Sequence, residues 1–357
     1  MEDASYIDTK RYLDFEFFHK EKESVFAKSW LFAGLSSRLP QPKSHFVCTT
    51  PEHSFLVTRD EEGKVHAFYN NCLHRGTHIA KKDGRGDIHC PYHGWKYTHK
   101  GVLHEIPKPK GMKGAPCNHG HLKTIHCTEK SGMIWISYAE AEPSFDADLL
   151  NILQHVEAYR FAEFEPVEAR DFVFPINWKI VLENSLDFYH VAFAHSSTVS
   201  AHVKQGPTFE RLGKHNLQSL FIAPYSWRSW IDSKTARGGP YTEKQKQSLH
   251  KYFIYPNLVI NVLPYHITIM QLWSDTPQSS WMRYRFCLRK GAGLLERARV
   301  YASWLASRWI LFEDVRLYQG IQRGMNVSPF ASQPLHVEEQ AVQHFHEQIG
   351  LSIESTS

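Results

Sequence analysis

The spacing of hydrophobic positions changes twice along the chain and divides it into three parts. In residues 15–35, apolar residues recur at helical spacing between charged ones, which predicts an amphipathic helix. From about 36 to 145, short β-type runs such as HFVCTT, SFLVTR and GMIWISY alternate with Gly, Pro, Asp and Lys. Such punctuated short runs are typical of a small all-β domain.

The third part mixes helices with strands. Its pattern predicts two strands within 248–275, one strand over 279–290, and helices over 148–161, 177–195 and 294–324. This mixture indicates an α+β fold. The sequence therefore predicts an all-β domain at 36–147, an α+β domain at 148–357, and a helical segment at 1–35 that belongs with the α+β domain.

Composition and charge exclude several classes of protein. The 357 residues are 42% hydrophobic and 22% charged with a net charge of +4, so nothing indicates a nucleic-acid partner. The start, MEDASYIDTKRY, lacks the apolar core of a signal peptide, and no apolar run is long enough to cross a bilayer. We therefore expect a cytoplasmic protein without a membrane partner. Six cysteines do not make a disulfide scaffold, and we interpret four of them as ordinary reduced thiols: Cys48, Cys117, Cys127 and Cys287.

Two short loops carry one cysteine and one histidine each. Cys72 and His74 form a C-x-H pair, and after fifteen intervening residues Cys90 and His93 form a C-x-x-H pair. Two Cys and two His also suit zinc, but zinc fingers pair Cys with Cys and His with His. One of each per loop instead suits a two-iron cluster in which one iron takes both cysteines and the other takes both histidines. This is the Rieske arrangement.

The segment LENSLDFYHVAFAH (182–195) supplies a second group of candidate ligands. Asp187 and His190 are three residues apart on the predicted helix and share a face, and His195 follows at its end. Two histidines and one carboxylate bind non-haem Fe(II) and leave positions open for O₂ and substrate. Taken alone, the two histidines could equally be core or surface residues of a helix.

A carboxylate on the C-terminal helix is the better third ligand. The residues three and four positions from Asp314 are apolar or aromatic, and burying a carboxylate among them is costly unless it is paired or bound to a metal. Its neighbour Glu313 has Arg316 three residues further on, which predicts an ordinary surface ion pair. We therefore predict Asp314 as the metal ligand.

Asp187 is then free for another role. It can accept a hydrogen bond from the imidazole N–H of His190 that does not bind iron. Asn184 stands one turn earlier on the same face, where it either supports the metal site or caps local polarity.

With both groups described, the chain resembles the catalytic α subunits of the Rieske non-haem iron oxygenases, through CLHRG, CPYHGW, LENSLDFYHVAFAH and FEDVRLYQGIQRG. The resemblance implies a Rieske domain followed by a helix-grip catalytic domain with a large antiparallel sheet, holding a [2Fe-2S] cluster and a mononuclear Fe(II). It also implies a homotrimeric ring in which Asp187 links His190 to His93 of the neighbouring subunit. Electrons would come from an NAD(P)H-dependent flavin reductase, in some systems through a ferredoxin.

By this resemblance the chain is predicted to be a terminal oxygenase that hydroxylates a small organic molecule with O₂. The aromatic content of 13% suits an aromatic substrate, and it suits a quaternary ammonium equally well through cation–π contacts. Some ammonium-type enzymes place Glu where Asp187 stands, so the main prediction is an aromatic substrate.

Two alternatives to an aromatic substrate stay open from the sequence. One is a monooxygenase or demethylase for a quaternary-ammonium or an N- or O-methyl compound. The other, more remote alternative is an electron-transfer protein without oxygenase activity. A separate alternative concerns the metal: the same ligands could bind zinc, and the protein would then be colourless. For any of the oxygenase readings, the predicted pocket residues are Phe188, Val191, Tyr255, Asn257 and Trp309.

Overall fold

The computed structural model describes residues 6–111, 120–196, 198, 207–221, 248–263 and 266–355. Cys117 lies outside the described residues, and among the described residues Cys48, Cys127 and Cys287 form no disulfide. The helices are α1 (Lys10–Leu13), α2 (Phe15–Glu21), α3 (Ala147–Glu157), α4 (Trp178–Leu186), α5 (Val191–Ala194), α6 (Leu294–Val327) and α7 (Gln340–Glu354), with one π-helix at Lys22–Phe26 and 3₁₀ turns at Ser36–Arg38, Pro109–Gly111, Phe161–Glu163 and Val337–Glu339.

The strands follow the same chain order. They are β1 (Tyr6–Asp8), β2 (Leu31–Leu35), β3 (Ser44–Thr49), β4 (Ser54–Arg59), β5 (Val65–Tyr69), β6 (Gly84–Arg85), β7 (Ile88–His89), β8 (Lys96–Tyr97), β9 (Leu103–Glu105), β10 (Thr124–Lys130), β11 (Met133–Ser137), β12 (Phe164–Phe174), β13 (Thr208–Leu212), β14 (His215–Phe221), β15 (Ser248–Ile254), β16 (Leu258–Val262), β17 (Ile267–Thr276), β18 (Ser279–Arg289) and β19 (Ser332–Pro334).

The chain divides into two compact units. The β unit comprises Ala27–Ser144 and Arg160–Glu163, and the α+β unit comprises Met1–Phe26, Phe145–Tyr159 and Phe164–Ser357. The bounds 1–35, 36–147 and 148–357 stay a prediction for the functional domains. Among the described residues, no helix is both long and apolar enough to cross a membrane.

The β unit contains a seven-stranded sheet in the order β2-β11-β10-β5-β4-β3-β6 and a three-stranded sheet in the order β7-β8-β9. The predicted helix over 15–35 is wrong in its second half, because Leu31–Leu35 is the edge strand β2. All five of its residues are buried, and it pairs with β11. Sheet pairing of a short apolar run here overrides the helical spacing.

The α+β unit is built on an antiparallel seven-stranded sheet in the order β12-β18-β17-β16-β15-β14-β13. Helix α4 contacts β17 and β18, and it also contacts α6 and α7. The two strands predicted within 248–275 are in fact three, because a turn at 255–257 separates β15 from β16. The segments on either side of this turn, Ser248–Ile254 and Leu258–Val262, are each long enough to form a strand. Alternation of apolar and polar residues does not show where one strand ends and the next begins.

Buried polar contacts anchor the start of α4, the helix that leads into the candidate site. The Asn177 side chain accepts the N–H of Lys179 (2.9 Å), and its backbone N–H donates to Gln322 on α6 (2.8 Å). Lys179 Nζ lies 2.7 Å from Glu21 Oε1, and both side chains are buried. These contacts hold α4 against both α6 and the end of α2.

Candidate metal centres

Two loops of the β unit have matching backbone hydrogen bonds. In each loop the N–H of the cysteine, Cys72 or Cys90, donates to the carbonyl five residues later (2.9 and 2.8 Å), and the N–H of a glycine donates back to the cysteine carbonyl (2.9 and 3.0 Å). These glycines, Gly76 and Gly94, have φ angles of 75° and 72°, a left-handed conformation that favours glycine. Each loop therefore holds one cysteine and one histidine within a single tight turn.

The four predicted cluster ligands differ in burial. Cys72 and Cys90 are 3% and 2% exposed, whereas His74 and His93 are exposed, with ring centroids 4.6 Å apart. A buried pair of thiols and an exposed pair of imidazoles fit a cluster with one sulfur-bound iron and one nitrogen-bound iron. Burial raises the pKa of the Cys72 thiol, and a bound metal would offset this by stabilising the thiolate.

Two aromatic residues that the sequence did not single out support these loops. The ring of Trp95 stacks on that of His74, with centroids 4.8 Å apart and planes inclined by 9°. The hydroxyl of Tyr97 lies 3.1 Å from Cys72 Sγ and accepts the N–H of Leu73 (3.0 Å). Because the oxygen already accepts from Leu73, its own hydrogen is available to the sulfur.

Tyr97→Phe is expected to lower the reduction potential of the cluster by roughly 50 mV. A hydrogen bond to a metal-bound sulfur stabilises the more negative, reduced form, and one such bond contributes about 1–2 kcal/mol. A redox titration followed by EPR measures the potential. Trp95→Phe, which changes packing on His74 but no sulfur hydrogen bond, is the matched control. An unchanged potential in Tyr97→Phe would show that this hydroxyl does not donate to the cluster.

The second candidate centre lies in the α+β unit. Within the described residues, His190, His195 and Asp314 are the group of metal-binding side chains whose donor atoms all lie within 4.8 Å of one another. Asp314 Oδ1 is 2.9 Å from Nε2 of His195 and 3.8 Å from Nε2 of His190. This buried oxygen makes no well-angled hydrogen bond to any described residue. Two imidazoles and one carboxylate that converge in this way fit a divalent iron with open coordination positions.

A break in the helix places the first of these histidines. Helix α4 ends at Leu186, and Asp187 has an extended backbone (φ −81°, ψ 134°). The Asp187 carboxylate accepts the backbone N–H groups of Tyr189 (2.5 Å) and His190 (3.3 Å). Such a side-chain turn competes with helical hydrogen bonds, so the single helix predicted over 177–195 is wrong.

The same carboxylate orients the imidazole. Asp187 Oδ2 lies 2.9 Å from Nδ1 of His190, which is the hydrogen bond predicted from the spacing of these two residues. This contact directs Nε2, the ring nitrogen available to a metal, toward Asp314.

The second histidine has a carboxylate of its own. Nδ1 of His195 lies 2.7 Å from Glu313 Oε2, which also accepts the hydroxyl of Thr198 (3.0 Å). The predicted surface ion pair of Glu313 with Arg316 is therefore wrong, and the Arg316 guanidinium lies over the ring of Phe312, 4.5 Å from its centroid. A spacing of three residues permits a pair on the helix, but the Glu313 carboxylate instead contacts a histidine that another element brings to it.

Glu313→Gln is expected to weaken Fe(II) binding by roughly 10–100-fold, the usual effect of losing a carboxylate that orients a metal-bound histidine. The amide carries no charge, so its oxygen is a weaker acceptor for His195 and Thr198 than the carboxylate oxygen that now accepts from both. Competition with a chelator measures the affinity, and the cluster absorbance should not change. Arg316→Gln, one turn further along α6, is the control and should bind iron as the parent does. Equal affinities in the two variants would contradict the positioning role.

A cavity of about 250 Å³ adjoins the His–Asp group. The predicted residues Phe188, Val191 and Asn184 line it, and the Asn184 side chain hydrogen-bonds the Asp314 carboxylate. Asn184 therefore contacts the site directly.

Three predicted pocket residues do not line this cavity. Trp309 is 70% exposed on α6. The hydroxyl of Tyr255 lies 2.9 Å from Ser352 Oγ on α7, and the Asn257 amide donates to the carbonyl of Leu272 (2.8 Å). Sequence proximity to an apolar run did not show which face of the element each side chain occupies.

The cavity has further lining residues that were not predicted from the sequence. They are Val181, Ser185, Lys251, Met270, Met282, Tyr284, Ser307, Ile310, Leu311 and Tyr318. One signal was available, because residues 249, 251 and 253 share a face of β15 and a lysine interrupts that apolar face. Burial lowers the pKa of the Lys251 ammonium to about 8, although the carboxylates of Asp187 and Asp314 raise it.

A β domain with paired Cys–His loops, followed by an antiparallel-sheet domain with two histidines and a carboxylate, defines the class of Rieske-type oxygenases. The chain belongs to the family of Rieske oxygenase α subunits: residues 161–354 match the model of the ring hydroxylating alpha subunit (catalytic domain), and residues 29–127 match that of the Rieske [2Fe-2S] domain. The predicted family, fold class, oxygenase activity and the two cofactors, a Rieske cluster and a mononuclear iron, are confirmed.

The sequence relatives are oxygenases with ammonium substrates in their names. The chain is 26% identical to choline monooxygenase, chloroplastic, of Spinacia oleracea, over 97% of this chain and 77% of the relative. It is 22% identical to the carnitine monooxygenase oxygenase subunit of Escherichia coli, over 97% and 93%. It is 31% identical to the glycine betaine monooxygenase oxygenase subunit of Pseudomonas aeruginosa, over 52% and 43%.

Solved structures share the fold. A quaternary ammonium Rieske monooxygenase in complex with L-carnitine superposes with a TM-score of 0.83 at 18% identity, covering 98% of this chain and 97% of that one. Naphthalene 1,2-dioxygenase with bound indole superposes with a TM-score of 0.80 at 17% identity, covering 100% and 94%. Identities this low show the fold alone, and one fold serves both substrate classes.

Proposed function

We propose that this α subunit oxidises a quaternary-ammonium compound rather than an aromatic ring. One observation carries the proposal: relatives aligned over 97% of the chain are a choline and a carnitine monooxygenase by name. The preference for an aromatic substrate rested on composition and on the residue type at Asp187, which separate the two classes less well. The alternative drawn from the sequence therefore becomes the main hypothesis, and the electron-transfer protein is set aside because the relatives are oxygenases.

The lining of the cavity is compatible with such a substrate. The rings of Phe188, Tyr284 and Tyr318 and the thioethers of Met270 and Met282 form much of its wall. Aromatic faces attract a quaternary ammonium, and methionine side chains adapt to its shape.

The ligand roles follow from the geometry of the two groups. We assign the cluster to Cys72, His74, Cys90 and His93, and the mononuclear iron to His190, His195 and Asp314. Ferrous iron held by two histidines and one carboxylate supplies O₂ activation when bound. In the chain itself, Nδ1 of His190 faces the Asp187 carboxylate, Nδ1 of His195 faces that of Glu313, and the Asn184 side chain hydrogen-bonds the Asp314 carboxylate.

The proposed net reaction consumes one O₂, two electrons and two protons per substrate. One oxygen atom converts a C–H bond to C–OH, and the other leaves as water. If the carbon is bonded to the quaternary nitrogen, the product alcohol loses its C–N bond and gives a tertiary amine and an aldehyde. If the carbon lies further along the chain, the hydroxylated ammonium compound remains intact, so the products identify the carbon attacked.

The electron supply and the assembly are proposed from the family resemblance. An NAD(P)H-dependent flavin reductase, with or without an intervening ferredoxin, would reduce the cluster. The subunits would form a homotrimer in which Asp187 joins His190 to His93 of the neighbouring subunit. Light scattering on the purified protein tests the trimer, and a monomer at working concentrations would contradict it.

A substrate panel tests the proposed function. The iron-loaded protein, a surrogate reductase and NADH are combined with choline, glycine betaine, carnitine, naphthalene or indole. We expect O₂ uptake that is matched by product formation with at least one ammonium compound. Product formation from an aromatic compound, with none from the ammonium compounds, would return the aromatic prediction to first place.

A further inference from the structure

Lys251 is a buried cation in the catalytic cavity, and the iron chemistry assigns it no role. It lies on β15, is 8% exposed, and lines the cavity together with Phe188. Its Nζ donates to the backbone carbonyl of Ser185 and lies 4.3 Å from the centroid of the Phe188 ring. With a pKa of about 8, the ammonium is largely charged at neutral pH.

Within the described residues, this ammonium has fewer hydrogen-bond acceptors than donors. It has three N–H donors, and the part of the chain that the structure describes supplies a hydrogen-bond acceptor for one of them, at Ser185. The nearby carboxylates have other partners, since Asp187 holds His190 and Asp314 faces both imidazoles. A buried charge with unmet donors is costly unless another group binds it.

A role as a helix cap explains only part of this arrangement. The Ser185 carbonyl is among the last four of α4, where an outside donor is needed and a cation is favourable. The next carbonyl, that of Leu186, accepts the neutral amide of Gln218 (2.8 Å), and Gln218 is the cross-strand partner of Lys251. A neutral donor therefore suffices at this helix end, and capping leaves the charge in the cavity unexplained.

We propose that Lys251 binds a carboxylate of the substrate, so that the cavity takes a zwitterion with a cationic head and an anionic end in preference to a plain cation. The cationic head rests on the proposed function, whereas the carboxylate rests on Lys251 alone. A carboxylate would complete the hydrogen bonds of the ammonium, while an ammonium head placed beside it would be repelled. The head is then left to the aromatic and thioether wall, for example Tyr284, Tyr318 and Met270.

Four ligands that differ in one group at a time test this proposal. Glycine betaine and choline share the trimethylammonium head and end in a carboxylate or an alcohol. The pair tert-butylacetate and neohexanol repeats that difference with an uncharged head of the same shape. Calorimetry on the metal-loaded protein without an electron donor measures binding, and O₂ uptake measures kcat/KM for any compound that is oxidised.

In the parent protein, each carboxylate ligand is expected to bind roughly 10–100-fold more tightly than its alcohol partner, which is the effect of hydrogen bonds to a charged group. Lys251→Met should abolish this ratio with either head, and Lys251→Arg should keep most of it. Gln218→Met is the matched control, because it removes the neighbouring helix cap but does not line this cavity. It should keep the ratio even if its melting temperature falls.

The outcomes separate the two proposals. If Lys251→Met weakens carboxylates and alcohols equally, or if the parent does not distinguish them, Lys251 is a structural cap and the inference is wrong. If the carboxylate preference depends on Lys251 but no ammonium compound is oxidised, the proposed function fails while the carboxylate site stands. Should Lys251→Met not fold, Lys251→Gln retains a donor for Ser185 without the charge and allows the same comparison.

Discussion

Asp314→Ala is expected to lose the mononuclear iron while the Rieske cluster keeps its absorbance and its EPR signal. The iron content should fall from about three to about two atoms per chain, because the variant removes the anionic member of a three-ligand group. Both imidazole Nε2 atoms face Oδ1 of this residue, and the oxygen is buried without a well-angled hydrogen bond to any residue in the described ranges. Substrate-coupled O₂ uptake should fall to background.

The adjacent carboxylate provides the control for this assignment. Glu313→Ala removes the hydrogen bond to Nδ1 of His195 but leaves all three proposed ligands, so it should retain iron at a reduced affinity. Metal analysis and chelator competition on both variants decide between the two positions. If Glu313→Ala empties the site and Asp314→Ala does not, the ligand is the other carboxylate, and the burial argument that selected Asp314 is wrong.

Asp187→Asn is expected to stop electron transfer to the mononuclear site while both metal centres remain. Asp187 accepts hydrogen bonds from the N–H of Tyr189 and from Nδ1 of His190, one at each oxygen. An asparagine has one acceptor oxygen, so its NH₂ group must face one of these two donors. We therefore expect Fe(II) to bind roughly 10-fold more weakly and the proposed bridge to His93 of the neighbouring subunit to lose its charge.

A single-turnover experiment measures this effect. The cluster of Asp187→Asn should be reduced by dithionite as in the parent, but O₂ and substrate should fail to reoxidise it at the parent rate. Asp187→Glu, which keeps two acceptor oxygens and the charge, is the control and should retain more of the rate. Normal reoxidation in Asp187→Asn with iron bound would rule out the bridging role.

Mixed assemblies test whether the bridge joins two chains. Cys90→Ala subunits, which lack the cluster, are co-assembled with His190→Ala subunits, which lack the mononuclear iron. Partial activity should return where an intact cluster faces an intact iron site on the next subunit. Inactive mixtures in which both metals are loaded would mean that transfer runs within one chain and that the proposed ring does not apply.

Local spacing was sufficient to predict the four cluster ligands and the two histidines of the second group. Ligands two or three residues apart come from one turn, so Cys72 with His74, and Cys90 with His93, could be recognised without any knowledge of the fold. The apolar neighbours of Asp314 along its helix likewise predicted its burial, and the side chain is 7% exposed. The family and the two cofactors follow from these patterns because they depend on contacts that are short in sequence.

The surroundings of the sites depended on the tertiary structure. Glu313 contacts His195 across 118 residues of sequence, and its helical neighbour Arg316 suggested a different partner. Trp309 and Tyr255 were assigned to the pocket on residue type, yet one is exposed and the other contacts α7. Periodicity shows that a side chain shares a face with others, but not which element covers that face.

Lys251 shows the same division between sequence and structure. Its position on an apolar strand face was visible in the sequence, but the end of α4, the Phe188 ring and the cavity that surround it come from elements far along the chain. The sequence by itself determined which residues are predicted as ligands of the two iron sites, because the Cys–His pairs and the two histidines lie in short local patterns and the residues around Asp314 on its helix are apolar. Only the packing of α4 and α6 against the sheet decided what reaches the iron, since a cavity is formed by side chains that meet through long-range contacts.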